Sequence, residues 1–257
     1  MEYLNAFLCG GLLCAVGLVS FVHGADVARL GASEALIFAA LVLCNNVIGD
    51  VFLFFALHRL GVARGSAIAS SYPILVALAS YLFFGSPLTL TIITGTLFVV
   101  AGVALLCHSD KDEGKLSVSG LAYAFLASIF WAAGLVFNKE LLVEGLSPAT
   151  IVLGRGVTFF TLAFLIWFFR VLVVKKDLNA WRVFLKRDSL YGLLAGICSL
   201  GFGAWFYSRA LEYVSPAVAT PIGASNPIIA SILAMFVYKE RIRPSQWAGI
   251  ALAVGGS

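Results

Sequence analysis

Charge is what this sequence has least of. Lys and Arg number 17 and Asp and Glu 13 among 257 residues, so 12% of the chain is charged, about half the share of a soluble domain. That scarcity, with 61% hydrophobic residues, excludes the ordinary water-soluble enzyme classes. Five cysteines (Cys9, Cys14, Cys44, Cys107, Cys198) lie scattered in apolar stretches; an odd number so placed gives no disulfide framework and reads as small buried hydrophobes. His23, His58 and His108 fall near the ends of apolar stretches, the place of interfacial polar groups. No zinc-type spacing and no Gly-rich phosphate loop before a helix occurs, so neither a metal nor a cofactor is expected. The net charge of +4 is small and carried mostly by loops, which argues for membrane orientation and against nucleic acid binding. Met1-Glu2-Tyr3-Leu4 lacks the basic region of a secretory signal peptide.

What is present is long apolar sequence. Nine segments stand out, at 3–22, 35–57, 64–84, 88–107, 117–138, 149–173, 189–211, 215–238 and 244–257, most of them long enough to span a bilayer. The expected fold class is an all-α, multi-pass membrane protein. The stretch from Ser215 to Gly249 is the most structured of these: Pro221, Gly223 and Pro227 interrupt it, the charged turn Lys239-Glu240-Arg241 follows, and Pro244 and Trp247 open the next segment. Prolines inside such a run are tolerated where neighbouring helices or a polar cavity satisfy the freed carbonyls, which for Pro221 and Pro227 lie four residues back at Ala217 and Gly223.

A shift of 154 residues superposes the sequence on itself. Without a gap, Gly49 falls on Gly203, Ala56-Leu57 on Ala210-Leu211, Ser71 on Ser225, Pro73 on Pro227, Gly95 on Gly249 and Gly102 on Gly256. The segment 117–138 has no partner upstream, and 244–257 is shorter than its counterpart 88–107. The expectation is therefore two five-helix repeats, ten helices in all, of which nine are present: 1–107 is the first repeat without its first helix, 108–116 a linker, and 117–257 the second repeat with its last helix cut short. A natural nine-helix protein is the alternative. An odd number of helices per repeat forces the repeats into opposite orientations, with a binding site between them near the midplane. Charge agrees. The loop after 149–173 carries Arg170, Lys175, Lys176, Arg182, Lys186 and Arg187, whereas its counterpart carries Arg29 alone. One alternate set of loops holds 13 Lys and Arg and the other three, and the positive-inside rule places the first set in the cytoplasm.

The run ALEYVSPAVATPIGASNPIIASILAMFVYKERIRPSQWAGIALAVGG resembles the terminal part of an EamA domain, of the drug/metabolite transporter superfamily. An Ala-Leu pair, a small-residue helix with an internal Pro, a Lys-Glu-Arg turn and a helix opening on Pro-Ser-Gln-Trp carry the resemblance. The run from Ala56 looks like the same domain, with Gly85-Ser86-Pro87 in place of the charged turn. The resemblance implies a ten-helix, two-repeat carrier of small organic solutes, and not an enzyme. The expected partners are that solute and the lipid bilayer, with a homodimer open and no nucleic acid. The expected location is the plasma (inner) membrane in preference to an organelle.

Polar groups at membrane depth are costly and mark cavities or helix contacts. Asn45, Asn46 and Asp50 form the densest set, and Asn46 and Asp50, four apart, would share a face of a regular helix. Asp50 is the only carboxylate well inside an apolar segment, a candidate for proton coupling or for a polar contact to another helix. Arg155 could hold an anionic group of a solute, pair with Asp50 or snorkel to the headgroups. Ser71 and Tyr72 before Pro73, and Ser225 and Asn226 before Pro227, occupy equivalent positions, as a two-sided site would require, although small residues also permit close helix packing. Pro73, Pro221 and Pro227 are expected helix kinks. Trp131 and Tyr207 complete the candidate cavity, Trp131 being mid-segment. A secondary transporter working by alternating access is the reading; an organellar sugar-nucleotide or phosphate-ester exchanger, using Lys139, Arg155 and Arg209, and an integral-membrane enzyme or a non-transporting scaffold are the alternatives.

Overall fold

The structure, a computed structural model, describes residues 31–60, 62–106, 117–169, 194, 196–225 and 244–256. The expected helix at 3–22, the linker 108–116, Asn226, Pro227 and the turn Lys239-Glu240-Arg241 lie outside the described residues. Every described regular element is helical: α1 (Ala32–Val42), π1 (Leu43–Gly49), α2 (Asp50–Leu60), α3 (Val62–Ala69), α4 (Tyr72–Phe84), α5 (Leu90–Leu106), α6 (Val118–Val143), α7 (Pro148–Phe169), π2 (Ile197–Gly203), α8 (Ala204–Ala210), α9 (Pro216–Ala224) and α10 (Pro244–Gly256). Two of the described helices are long and apolar enough to cross a membrane, Ala32–Leu60 with 29 residues and Val118–Val143 with 26. The chain divides into two compact units, one of Met1–Val42 with Phe137–Glu212, the other of Leu43–Val136 with Tyr213–Ser257.

In the second of these units two regular helices expected from sequence come out differently. The segment 35–57 belongs to a longer helix, and within it Leu43–Gly49 is wound as a π-helix, with hydrogen bonds reaching five residues along instead of four. The segment 64–84, expected as one helix kinked at Pro73, is two helices, with Ser70 and Ser71 in a turn between α3 and α4. Pro73 lies in the first turn of α4 behind Ser71 at the N-cap. The physical reason is that a first-turn residue needs no N–H partner, so proline begins a helix there without bending one. The carbonyl of Ala69, four residues before Pro73, accepts a hydrogen bond of 2.9 Å from Ser128 Oγ on α6. The break thus loses little, because a hydroxyl from another helix replaces the missing donor.

Small residues hold this unit together. Ala56, Leu60 and Ala124 form one buried cluster, and Val99, Val103 and Ala224 another, against which Tyr72 packs. In the last turn of α2, Arg59 donates to Ser119 Oγ at 2.6 Å and lies 5.9 Å from the centre of the Tyr123 ring, a cation–π approach. Helix α4 stops at Gly85, whose φ of 63° is the left-handed conformation that glycine adopts without strain.

In the first unit, Ser147 caps α7, accepting the Thr150 N–H at 3.2 Å, and Pro148 takes the first position. Phe38 of α1 lies over Gly154 of α7, where a Cβ would collide with its ring. Helix α9, in the second unit, contains Pro221 as expected; it packs on α4 and α5.

Candidate functional site

The π-wound segment and the middle of α6 build the site. Asp50 follows π1 directly and is half-buried. Its Oδ1 accepts a hydrogen bond of 3.0 Å from the indole Nε1–H of Trp131. A donor to an ionised carboxylate makes one of the stronger hydrogen bonds, about 1.5–3 kcal/mol. The Asn45 Nδ2–H group makes a long contact of 3.4 Å to the Trp131 carbonyl oxygen. Tyr72 meets the Trp131 ring edge-on, with centroids 5.7 Å apart and planes at 86°, the arrangement that aromatic quadrupoles favour. Trp131 is therefore the hub: its side chain holds Asp50, its backbone meets Asn45 and its ring packs on Tyr72.

Two glycines make the contact this close. A Cβ on residue 49 would lie 2.6 Å from Trp131 Cδ1 and 2.9 Å from the Cys44 carbonyl oxygen. A Cβ on residue 134 would lie 2.6 Å from Asn45 Cβ. Any larger residue at either place pushes the two helices apart. Asn45 and Asp50, five apart, both meet Trp131, one at its backbone carbonyl and the other at its indole N–H.

Of the residues singled out in sequence, Asn45, Asp50, Tyr72 and Trp131 come together in one cluster. Ser71 adjoins it as the N-cap of α4. Asn46 lies in π1, one position from Asn45. Ser225 follows α9, its Oγ donating to the Ile222 carbonyl at 2.6 Å, and the residue before it, Ala224, packs with Tyr72. Arg155 on α7 and Tyr207 on α8, both half-buried, belong to the other compact unit. Asn226 lies outside the described residues. Lys139 and Arg209, the other cations weighed for an anionic solute, have structural partners: Lys139 Nζ donates to the Leu211 carbonyl at 2.6 Å, and Arg209 pairs with Glu212. Lys139 and Glu212 line an open crevice of about 560 Å³ together with Gly145 and Ser147.

Sequence reasoning missed Ser128 and Gly134. Both stand three residues from Trp131, on the same face of α6. A small-residue, aromatic, small-residue pattern at helical spacing was the available signal. It missed Ser208 as well, whose Oγ donates to the buried Asn138 Oδ1 at 3.2 Å in the first unit.

Known proteins place the chain. The profile of the EamA-like transporter family matches residues 3–107 and again 118–257. An uncharacterized transporter of Archaeoglobus fulgidus is 26% identical over 220 residues, which cover 86% of this chain and 73% of that one. YhbE, an uncharacterized inner membrane transporter of Escherichia coli, is 31% identical over 137 residues, 53% of this chain and 41% of the other. UDP-galactose transporter homolog 1 of Eremothecium gossypii is 25% identical over 242 residues, 91% of this chain and 70% of that protein. A crystal structure 17% identical in sequence superposes with a TM-score of 0.78 over 99% of this chain and 84% of its own, a likeness of fold. The all-helical architecture, the membrane-length helices and two matches to one family, together covering nearly the whole chain, agree: the chain is an integral membrane protein of the EamA-like transporter family.

Proposed function

We propose that this protein is a secondary transporter that exports or exchanges a small organic solute by alternating access between two inverted repeats, 1–107 and 117–257. The observation that carries this reading is the half-buried cluster of Asn45, Asp50, Tyr72 and Trp131 inside helices of membrane-spanning length. A carboxylate kept at such depth costs free energy that simple packing would not spend, so it marks a solute or ion pathway. The repeat reading draws support from winding as well as sequence. Residues 43–49 and 197–203 are both π-helical, and they are 154 positions apart, the same offset that superposes the sequence. Helices α5 and α10 begin at Leu90 and Pro244, again 154 apart. Well under 1% of residues in proteins are π-helical, so a coincidence of two such segments at one offset favours a common ancestral unit.

The solute-binding set in this reading is Asn45, Asn46, Asp50, Ser71, Tyr72, Trp131, Arg155, Tyr207, Ser225 and Asn226, with Asp50 as the proton-coupling residue. The archaeal and bacterial relatives favour the plasma membrane. The relative named as a UDP-galactose transporter homolog favours a second reading, an organellar exchanger of sugar nucleotides or phosphate esters. Such an anion needs several cations, and the engagement of Lys139 and Arg209 with protein groups weighs against it.

The test is transport by the purified protein in proteoliposomes, screened against amino acids, nucleosides, sugar nucleotides and amphipathic amines with an imposed pH gradient. The expected result is saturable, gradient-driven movement of one class, weakened by Trp131→Ala. Movement of sugar nucleotides alone selects the second reading, and a protein that moves none of these classes overturns the first.

A further inference from the structure

The first compact unit holds a polar pair that the Asp50–Trp131 cluster does not account for. Asn138 on α6 is 1% exposed and Ser208 on α8 is fully buried. Ser208 Oγ donates to Asn138 Oδ1 at 3.2 Å, and the Asn138 Nδ2 group has no acceptor among the described residues. Exchanging the amide oxygen and nitrogen does not cure this. Nδ2 carries two N–H donors, and the single Ser208 hydroxyl would meet only one of them. A buried donor left without a partner costs about 1–3 kcal/mol, and a polar group kept in a membrane helix at that cost points to a ligand.

The open crevice described above stands beside this pair. Leu142, four residues after Asn138 on the same face of α6, lines it, and so does Glu212, four residues after Ser208. The pair therefore lies about one helical turn, roughly 5.4 Å, inward of the crevice. Lys139, in the crevice wall, reaches the same side of α8 as Asn138 does. Its Nζ donates to the carbonyl of Leu211, three residues after Ser208, at 2.6 Å. An ammonium has three N–H donors, so that bond leaves Lys139 able to hold a ligand as well. Glu212 is already paired with Arg209, and Leu142, Val143 and Leu146 give the crevice an apolar side. All of these residues belong to one compact unit.

We propose that the crevice and the Asn138 amide form a site for a small monocarboxylate with an apolar tail. The carboxylate accepts from Lys139 Nζ and from Asn138 Nδ2, and the tail lies on Leu142, Val143 and Leu146. One cation serves such a ligand, whereas a sugar nucleotide needs several. The site goes beyond the transporter reading and does not rest on it.

The test is butyrate binding to the full chain in detergent micelles. Isotope-labelled asparagine side-chain amides are followed by NMR, and Asn138 is assigned as the signal lost in Asn138→Gln. Butyrate should shift the Asn138 signal saturably. Butyramide, of the same shape and uncharged, should bind at least about tenfold more weakly, because the charge-assisted bonds are lost. Lys139→Gln should weaken butyrate by at least about tenfold for the same reason. Asn138→Leu should abolish saturable binding in calorimetry without lowering the melting temperature, since it removes the unpartnered donor along with the bond to Ser208. An unmoved Asn138 signal, equal affinity for butyrate and butyramide, or undiminished binding by Asn138→Leu overturns the site. The first two are read on the unmodified chain and need no substituted protein to bind. Oleate shifting the signal where butyrate does not would give the crevice to a membrane lipid and also overturns the proposal. Butyrate binding to a protein that moves no solute in proteoliposomes leaves this site standing and removes the transporter reading.

Discussion

Residues 43–60 and 197–211 have the same backbone and different chemistry. Each begins with a seven-residue π-helix that ends on glycine, Gly49 in one and Gly203 in the other, and each continues as α-helix. In each, the carbonyl crowding that glycine belongs to a cysteine five residues back, Cys44 or Cys198. Yet the first carries Asn45, Asn46 and Asp50 where the second carries Ser199, Leu200 and Ala204. A backbone device that persists while its side chains diverge is tied to how the helix is built or moves. In the transporter reading, the polar side chains carried by only one of the two segments are the ones that would meet solute. On this comparison the polar groups gather in the first segment, at Asn45, Asn46 and Asp50, two of which meet Trp131 of α6.

The largest expected effect breaks the asymmetry at its centre. Asp50→Asn keeps the shape and removes the charge. It should abolish transport driven by a pH gradient in proteoliposomes while leaving solute exchange at equal pH measurable. Undiminished gradient-driven transport would remove Asp50 from the coupling mechanism. Ala204→Asp at the equivalent place should not restore function to that variant.

The glycines come next. Gly49→Ala drives a methyl group to 2.6 Å from the Trp131 ring and 2.9 Å from the Cys44 carbonyl, an overpacking that costs about 1–3 kcal/mol. Among the described residues Gly203→Ala meets only the Cys198 carbonyl, at 3.1 Å, and gains up to about 1 kcal/mol from the better helix propensity of alanine. Thermal unfolding in one detergent should therefore lower the melting temperature of Gly49→Ala clearly and move that of Gly203→Ala little. Equal shifts would show that the contact with Trp131 is not what constrains residue 49. Trp131→Phe follows: it leaves the ring against Tyr72 and removes the hydrogen bond to Asp50, a loss of about 1–2 kcal/mol, to be read as a melting shift smaller than that of Gly49→Ala; no shift would show that the indole N–H is not what holds Asp50.

Much of this was legible in the residues. Asp50 stands out as a carboxylate deep in an apolar segment, and Trp131 as an aromatic far from either end of its own. The family was legible from the Pro-containing helix, the charged turn and the Pro-Ser-Gln-Trp opening. The winding at 43–49 was not, because the side chains of Leu43-Cys44-Asn45-Asn46 suit four- and five-residue spacing alike, and the choice depends on packing against α6. So the contact of Asn45 with the Trp131 carbonyl was not to be read from the residues. The break before Pro73 could have been read from Ser70-Ser71-Tyr72-Pro73, a cap followed by a first-turn proline, had a continuous apolar run not argued for one helix. Ser128 was legible only as a small residue on the face of Trp131; its bond to the Ala69 carbonyl was not, since the two lie 59 residues apart in sequence.

The two helix breaks, at Ser70–Ser71 and at Ser225, supply the smallest test of the same comparison. Both precede a proline, Pro73 or Pro227, and the described hydroxyl at each is spent differently. At the first, Ser128 reaches in from α6 to the Ala69 carbonyl at 2.9 Å, and the residue is fully buried. At the second, Ser225 bonds back to the Ile222 carbonyl three residues before it, at 2.6 Å, from a half-buried position. Removing a partner from a buried carbonyl costs about 1–3 kcal/mol, because no water replaces it, whereas an ordinary hydrogen bond contributes about 0.5–1.5 kcal/mol net. Ser128→Ala should therefore destabilise more than Ser225→Ala, by a difference of about 1 kcal/mol, measured as chemical denaturation in mixed micelles. The reverse order would mean that the Ala69 carbonyl finds another donor, and that the break before Pro73 does not depend on α6.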